Sequence, residues 1–171
     1  SYDHRFEVLK AVGLKPGMVV ADVGAGTGLF TRLFAPEVGP MGKIYAVDIA
    51  ENFVKHIERQ AAAEGMTNVK GIICTPESVN LPPASIDLAY ICDVYHHFEF
   101  PQKTMRSIHQ ALKPGGFVVL IDFIRQEGVS SGFVLGHVRA GQEVFAQEIT
   151  TAGFRQIEER SEEHTSELQS P

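Results

Sequence analysis

Basic charge is scarce in this sequence of 171 residues. Lysine and arginine together number 15 against 21 aspartates and glutamates, which gives a formal net charge of −6. A protein that binds nucleic acid or an anionic membrane needs a concentrated basic surface. We therefore expect neither nucleic acid nor a membrane as a partner.

Cysteine and long apolar runs are scarce as well. The two cysteines, Cys74 and Cys92, are far apart and match neither a zinc-binding pattern nor a disulfide-rich secreted domain. No apolar stretch is long enough to span a bilayer, and no signal-peptide pattern is visible. We therefore expect a cytoplasmic protein, although the chain begins at Ser1 without Met, so that an upstream segment can be missing.

The length and composition suit one domain with a buried core, because 44% of the 171 residues are hydrophobic. The segment RSEEHTSELQS, from Arg160 to Ser170, has no apolar periodicity and an abruptly polar composition. It is similar to the translation of a common sequencing-library adapter, and a disordered acidic tail is the alternative. We therefore predict a domain over residues 1–159 and a non-native tail over residues 160–171.

A glycine-rich turn organises the chain. Val19–Val23 is an apolar run interrupted only by Asp22, which is typical of a buried parallel strand, and Leu29 begins a helical pattern. Three glycines lie between them: Gly24, Gly26 and Gly28. Glycine is needed where the backbone turns sharply and approaches a ligand closely. A dinucleotide fingerprint requires a glycine where Leu29 stands, and a P-loop requires a lysine that this turn lacks.

Further apolar runs predict a parallel sheet. After the first strand, the predicted strands are Lys43–Ala50, Val69–Cys74, Leu88–Cys92, Phe117–Ile124 and Phe154–Glu158. Amphipathic helical patterns separate most of them. Strands that alternate with helices in this way indicate a doubly wound α/β fold.

Asp48 lies at the carboxyl end of the second predicted strand. In a doubly wound sheet, a carboxylate at this position accepts hydrogen bonds from both hydroxyls of a ribose. A helix N-cap or a surface charge is the alternative. The ribose interpretation predicts a bound nucleotide without identifying it.

The pattern Asp-x-Gly-x-Gly-x-Gly, from Asp22 to Gly28, resembles motif I of the class I S-adenosylmethionine-dependent methyltransferases. The run ALKPGG before the fifth strand is a second mark of that family, and the similarity extends over most of the chain. The resemblance implies a Rossmann-like, doubly wound, mostly parallel sheet with helices on both faces. Family members add a seventh, antiparallel strand between the fifth and the sixth. Since no stretch suits it here, we predict that this last strand is missing from a C-terminally truncated domain.

The resemblance also implies that S-adenosylmethionine is the cofactor. The turn would cradle the methionine end, with Asp22 beside the ammonium group and Asp48 at the ribose. Family members often carry an acid just after the third strand, where it meets the adenine amino group; here Thr75 holds that place and Glu77 follows two residues later. The predicted cofactor-binding residues are Asp22, Gly24, Ala25, Gly26, Gly28, Asp48, Ile49, Glu77 and Asp93.

Polar residues follow the fourth strand in CDVYHHFEF, where the substrates of doubly wound folds approach. A histidine here could act as a general base, His96 and His97 could hold a metal together with Asp93, or one histidine could pack against or cap the next helix. Adjacent histidines in an extended segment usually point apart, which disfavours the metal. We predict His96 and His97 as catalytic residues, Tyr95 as a substrate-binding residue, and no metal.

Two further residues, His137 and Arg139, lie near the start of the last helical pattern. They are predicted to bind an anionic group of the substrate, with a solvated helix face as the alternative.

We therefore expect an enzyme that transfers a methyl group from S-adenosylmethionine to a small-molecule acceptor. An NAD(P)-dependent oxidoreductase is an alternative that Leu29 disfavours, and a catalytically inactive S-adenosylmethionine-binding domain is another. The Asn-Pro-Pro-Tyr run of methylases that act on DNA bases or glutamine is absent after the fourth strand. Its absence argues against those acceptors and leaves the accepting atom open.

Overall fold

The computed structural model describes residues 9–10, 12–92, 98–121, 155–160 and 165–169. Within them, one sheet of seven strands has the order β3-β2-β1-β4-β5-β7-β6. The strands are β1 (Val19–Val23), β2 (Lys43–Asp48), β3 (Val69–Ile73), β4 (Ile86–Cys92), β5 (Leu112–Ile121), β6 (Arg155–Arg160) and β7 (Thr165–Gln169). The helices are α1 (Leu29–Val38), α2 (Glu51–Ala63) and α3 (Pro101–Ala111).

Strand β1 lies at the point where the chain reverses its winding direction. It pairs in parallel with β2 on one edge and with β4 on the other. Strands β2 and β3, and likewise β4 and β5, also pair in parallel. A crevice opens beyond the carboxyl ends of the strands at such a reversal. The predicted doubly wound, mostly parallel fold is confirmed, and the reversal locates the region where a ligand binds.

The ALKPGG run forms an irregular start to β5. Leu112 pairs with Ile86, but the next pair joins Phe117 to Leu88, so the register shifts across the intervening KPGG residues. Regular pairing then continues to Ile121. The apolar pattern predicted a strand from Phe117, whereas β5 begins at Leu112 and contains this local irregularity.

The expectation that the last antiparallel strand is missing is wrong. Thr165–Gln169 forms β7, which lies antiparallel between β5 and β6. Its sequence, TSELQ, contains one apolar residue, so the apolar alternation that marks a strand is absent. The strand pairs through its backbone with β5 on one edge and β6 on the other, and this pairing does not depend on side-chain polarity. Strand β7 lies within residues 160–171, so the backbone of this segment completes the sheet. That the segment is non-native remains a prediction from its sequence.

Helices cover both faces of the sheet. On one face, Ala21, Val23 and Ala89 pack in the same cluster as Met105 and Ile108 of α3. On the other face, a second cluster joins sheet residues to α1; its members include Val20, Ile44, Tyr90, Phe34 and Val38. Alternate residues of β1 thus serve opposite layers, as the two-residue period of a strand requires. None of the described helices has the length and hydropathy that crossing a membrane requires.

Candidate functional site

A cavity of about 200 Å3 opens at the carboxyl ends of β1, β2 and β3. The glycine turn and the end of β2 contribute one part of its lining, and the turn after β3 and the residues around the start of α3 contribute another. The lining residues are Val23, Gly24, Asp48, Ile49, Cys74, Thr75, Pro76, Val79, Phe98, Glu99 and Thr104. Most of these side chains are apolar.

Asp48 connects the glycine turn to the start of α2. Its Oδ2 accepts a hydrogen bond from Gly26 N at 2.9 Å, and its Oδ1 accepts one from Ala50 N at 2.9 Å. The residue is 8% exposed and lines the cavity. Each carboxylate oxygen has more than one lone pair, so both can accept a further hydrogen bond from a ligand hydroxyl. The predicted ribose contact and the alternative cap at the start of α2 are therefore compatible.

The glycine turn is held firmly against β2. Gly24 N and Ala25 N both donate to Val47 O, at 2.8 and 3.0 Å, and Gly28 N donates to Ala25 O at 2.9 Å. Together with the bond to Asp48, these contacts use the N–H groups of four turn residues within the protein. What those four residues offer to a ligand is therefore their carbonyl oxygens and Cα hydrogens.

Gly28 meets two separate demands at the end of the turn. Its φ of +86° is left-handed, a conformation that side chains disfavour. A Cβ at this position would also lie 2.8 Å from Ile57 Cγ1. The last glycine of the turn is thus required both by backbone conformation and by the close approach of α2.

Asp22 is buried beside the turn. It is 3% exposed, and Thr31 Oγ1 donates a hydrogen bond to its Oδ2 at 2.7 Å. Burial raises the pKa of Asp22 to about 6, although the bond from Thr31 opposes the rise. Asp22 is not among the cavity-lining residues. This arrangement favours the alternative of an acid that shapes the strand end by tying β1 to α1.

The residues after β3 form a closed turn. Thr75 Oγ1 accepts hydrogen bonds from Ser78 N at 3.1 Å and from Glu77 N at 3.3 Å. The Glu77 carboxylate lies 3.5 Å from Lys103 Nζ, both side chains are more than half exposed, and Glu77 does not line the cavity. The structure thus brings Thr75, rather than Glu77, to the cavity wall.

The cavity wall contributed by α3 was not anticipated from the sequence. Thr104 is 5% exposed, and its Oγ1 donates to Pro76 O at 3.2 Å. Ser107 Oγ accepts a hydrogen bond from Val79 N at 3.0 Å. These bonds fasten the turn after β3 to α3. A signal was available, because Thr104 shares helical spacing with Ile108 and Ala111 on the buried face of α3.

Cys74 also lines the cavity and was not among the predicted site residues. Its N–H donates to Asp48 O at 3.0 Å, which places it at the junction of β2 and β3. Burial, with a contribution from the charge of Asp48, raises the pKa of the Cys74 thiol to about 11. The group is therefore a neutral thiol at physiological pH and contributes an apolar surface to the cavity.

Six predicted site residues lie outside the described residues: Asp93, Tyr95, His96, His97, His137 and Arg139. Their proposed roles in catalysis and in substrate binding remain predictions. The chain positions on either side of residues 93–97, Cys92 at the end of β4 and Phe98 in the cavity wall, are described.

Comparison with known proteins agrees with this geometry. The model of a family described as a methyltransferase domain matches residues 21–120. The ubiquinone/menaquinone biosynthesis C-methyltransferase of Hydrogenovibrio crunogenus is 33% identical over 112 residues, which cover 65% of this chain and 44% of that protein. The demethylmenaquinone methyltransferase of Geobacillus stearothermophilus is 30% identical over 118 residues, which cover 69% of this chain and 50% of that one.

The matched regions therefore span about half the length of these two relatives. Among solved structures, an S-adenosylmethionine-dependent methyltransferase from Aquifex aeolicus matches with a TM-score of 0.84 and 25% identity, over 96% of this chain and 87% of that one. The family match covers more than half of the chain and includes the end of β1, the glycine turn and β2. The chain belongs to the S-adenosylmethionine-dependent methyltransferase domain family.

Proposed function

We propose that this protein transfers a methyl group from S-adenosylmethionine to a small-molecule acceptor. The observation that carries the proposal is the meeting of the glycine turn and Asp48 at one cavity, joined by the bond from Gly26 N to Asp48 Oδ2. Such a cofactor is a nucleoside with a charged amino-acid tail. Its ribose hydroxyls need a hydrogen-bond acceptor, and next to that acceptor a stretch of backbone must come close to the tail. This junction supplies both.

The residues present fit such a cofactor at three points. Asp48 has acceptor capacity left for ribose hydroxyls. The carbonyl oxygens of Gly24 and its neighbours in the turn suit an ammonium group, because their N–H groups are already donated within the protein. Ile49, Pro76 and Val79 line the rest of the cavity with apolar surface that suits a purine ring.

S-adenosylmethionine, when bound, supplies a methyl group activated by a sulfonium. The protein's task is then mainly to hold the acceptor in line with the methyl carbon, since correct positioning supplies much of the reduction of the barrier. His96 and His97 follow β4 and are proposed to remove a proton from the acceptor where its chemistry requires this. Tyr95, His137 and Arg139 are proposed to bind the acceptor.

The acceptor is proposed to be a small molecule rather than a nucleic acid, which the net charge of −6 supports. Two relatives carry names from quinone biosynthesis, so a demethylmenaquinone-type acceptor is the first one to test. The two widely spaced cysteines support a cytoplasmic location.

Calorimetric titration tests the cofactor class. Wild-type protein is titrated with S-adenosylhomocysteine and, separately, with NADH. We expect saturable binding of S-adenosylhomocysteine alone. Asp48→Ala should weaken that binding about tenfold or more, because it removes a charged acceptor of ribose hydroxyls.

Two controls make the titration decisive. Glu37→Gln removes one negative charge from an exposed position of α1 and should leave the affinity unchanged. Circular dichroism of Asp48→Ala checks that losing the bonds to Gly26 and Ala50 leaves the protein folded. Binding of NADH in place of S-adenosylhomocysteine would refute the proposal.

A further inference from the structure

Two hydroxyl groups of α3, three residues apart, hold the turn after β3. Thr104 Oγ1 donates to Pro76 O at 3.2 Å, and Ser107 Oγ accepts from Val79 N at 3.0 Å. Pro76, Val79 and Thr104 all line the cavity, whereas Ser107 is not among the lining residues. Ser107 therefore acts on the lining only through a residue that it holds.

The direction of the Ser107 hydroxyl is fixed by the helix on which it lies. Its hydrogen is donated to Thr104 O at 2.6 Å, one turn earlier in α3. A hydroxyl has one hydrogen to donate, so toward Val79 N it can only accept. Bonding of this kind, to a carbonyl three or four residues earlier, is open to a serine inside a helix. The helix backbone thus orients the lone pair that receives the Val79 N–H.

The internal bonds of the turn leave out the two groups that α3 holds. Thr75 N donates to Ser78 O at 3.0 Å, and Thr75 Oγ1 accepts from the N–H groups of Glu77 and Ser78. These bonds brace the turn, but none of them involves Pro76 O or the N–H of the residue that follows the turn. The bonds from α3 therefore set where the braced turn stands relative to the cavity.

A further link between the turn and α3 is weak. The Glu77 carboxylate lies 3.5 Å from Lys103 Nζ, and both side chains are more than half exposed. Exposed ion pairs of this kind contribute little to stability. Val79, by contrast, is 1% exposed, and an N–H group that loses its acceptor in partly buried surroundings is costly. Loss of the bond to Ser107 should therefore displace a buried residue of the lining.

We propose that Ser107 is a positioning residue for the nucleoside cofactor, because it holds Val79 and the turn before it in the place that completes the cavity lining. The inference rests on the proposed function, since it presupposes that this cavity takes the nucleoside. Without the Ser107 hydroxyl, the turn occupies that place for only a fraction of the time. The apparent affinity for the nucleoside then falls by the same fraction.

Calorimetric titration of Ser107 variants with S-adenosylhomocysteine tests the inference. We expect Ser107→Ala to bind about fivefold more weakly than wild type, which corresponds to the loss of one ordinary hydrogen bond. Ser107→Thr keeps a hydroxyl on the same carbon and should bind within about twofold of wild type. Each titration is made at a temperature at which thermal unfolding shows the variant to be folded, so that the affinity is that of the folded protein.

Ser85→Ala is the matched control. Ser85 Oγ donates to Pro82 O at 2.7 Å, and Ser85 N donates to Ala111 O at the other end of α3. This substitution also removes one serine hydroxyl bond beside α3, but Ser85 does not line the cavity. We expect its affinity for S-adenosylhomocysteine to stay within about twofold of wild type.

Hydrogen exchange of the Val79 amide, followed by NMR, reports the bond itself. In Ser107→Ala this amide should exchange faster than in wild type, because its acceptor is gone. The amides of β1, which pairs on both edges, should exchange as slowly as in wild type. General destabilisation would instead accelerate exchange at β1 and at Val79 alike.

The outcomes separate this inference from the function on which it rests. If wild type does not bind S-adenosylhomocysteine, the proposed function fails and the inference fails with it. If wild type binds it and Ser107→Ala binds it within about twofold, the proposed function stands and the inference is overturned. Equal weakening in Ser85→Ala or in Ser107→Thr, or equal acceleration of exchange at β1 and at Val79, overturns it as well.

Discussion

Replacement of Asp22 by asparagine should stabilise the folded protein at neutral pH. Asp22 is buried, and Thr31 donates to it both from its backbone N–H and, at 2.7 Å, from its neutral hydroxyl Oγ1. Asparagine has nearly the same shape and retains an oxygen that can accept this hydrogen bond. The substitution therefore removes a buried charge while preserving the bond.

The magnitude follows from the shifted pKa of Asp22. Burial raises it from 3.8 to about 6. Between these two pH values the folded state holds a proton that the unfolded state has released, so the free energy of unfolding of the wild type falls as pH rises. At 1.36 kcal/mol per pKa unit, the full effect is about 3 kcal/mol, and it is complete above the folded pKa. Asp22→Asn has no ionisable group at this position, so its free energy of unfolding lacks this dependence on pH.

Urea unfolding at several pH values from 4 to 8 measures the difference. Circular dichroism is the suitable probe, because the chain contains no tryptophan. We expect the two proteins to be nearly equal in stability at pH 4, and Asp22→Asn to be more stable by about 3 kcal/mol at pH 8. Glu37→Gln, at an exposed site, should follow the wild type at every pH. A constant difference between Asp22→Asn and wild type across this range would refute the argument.

Three further predictions concern residues around the cavity. Gly28→Ala places a Cβ 2.8 Å from Ile57 Cγ1 at a left-handed φ, so we expect it to lower the free energy of unfolding by about 1–3 kcal/mol in urea titrations, and Ile57→Ala, which removes Cγ1, to cost less in this variant than in wild type. Because the pKa of Cys74 is raised to about 11, its alkylation by iodoacetamide at pH 8, followed by mass spectrometry, should be about a hundredfold slower than that of an unperturbed cysteine. Thr104→Val removes the donor to Pro76 O and should cost about 1 kcal/mol in thermal unfolding, whereas Thr104→Ser should retain most of the stability.

The central parallel strands β1, β2 and β4 were predictable because they are buried on both faces and therefore read as apolar runs. Strand β7 could not be found in this way, since Leu168 is its one apolar residue and its stability comes from backbone bonds to two neighbours. The early start of β5 was also not predictable from apolar residues. Lys113–Gly116 reads as a turn, and the chain accommodates it as an irregularity opposite β4.

The side of the cavity formed by the turn and Asp48 follows from local sequence, because both come directly after strands that the fold places side by side. The part of the lining contributed by α3 and the turn after β3 depends on contacts between distant segments. Thr104 reaches Pro76 only because α3 packs beside the turn after β3, and no short motif encodes that contact. Asp22 differs from both cases. Its strand was predicted correctly, but its hydrogen bond with Thr31 depends on the packing of α1 on β1.

The central position of β1 has a consequence for synthesis on the ribosome. Strands β1, β2 and β3 leave the ribosome in succession, and each pairs with its neighbour in sequence. The other edge of β1 pairs with β4, for example Val20 with Leu88. This pairing can form only after β2, β3 and β4 have all been synthesised. The nascent chain can thus assemble the ribose side of the cavity before the wall of α3 exists. We expect nucleoside binding to be acquired late in translation, when the returning β4 and α3 close the second wall over a half that is already folded.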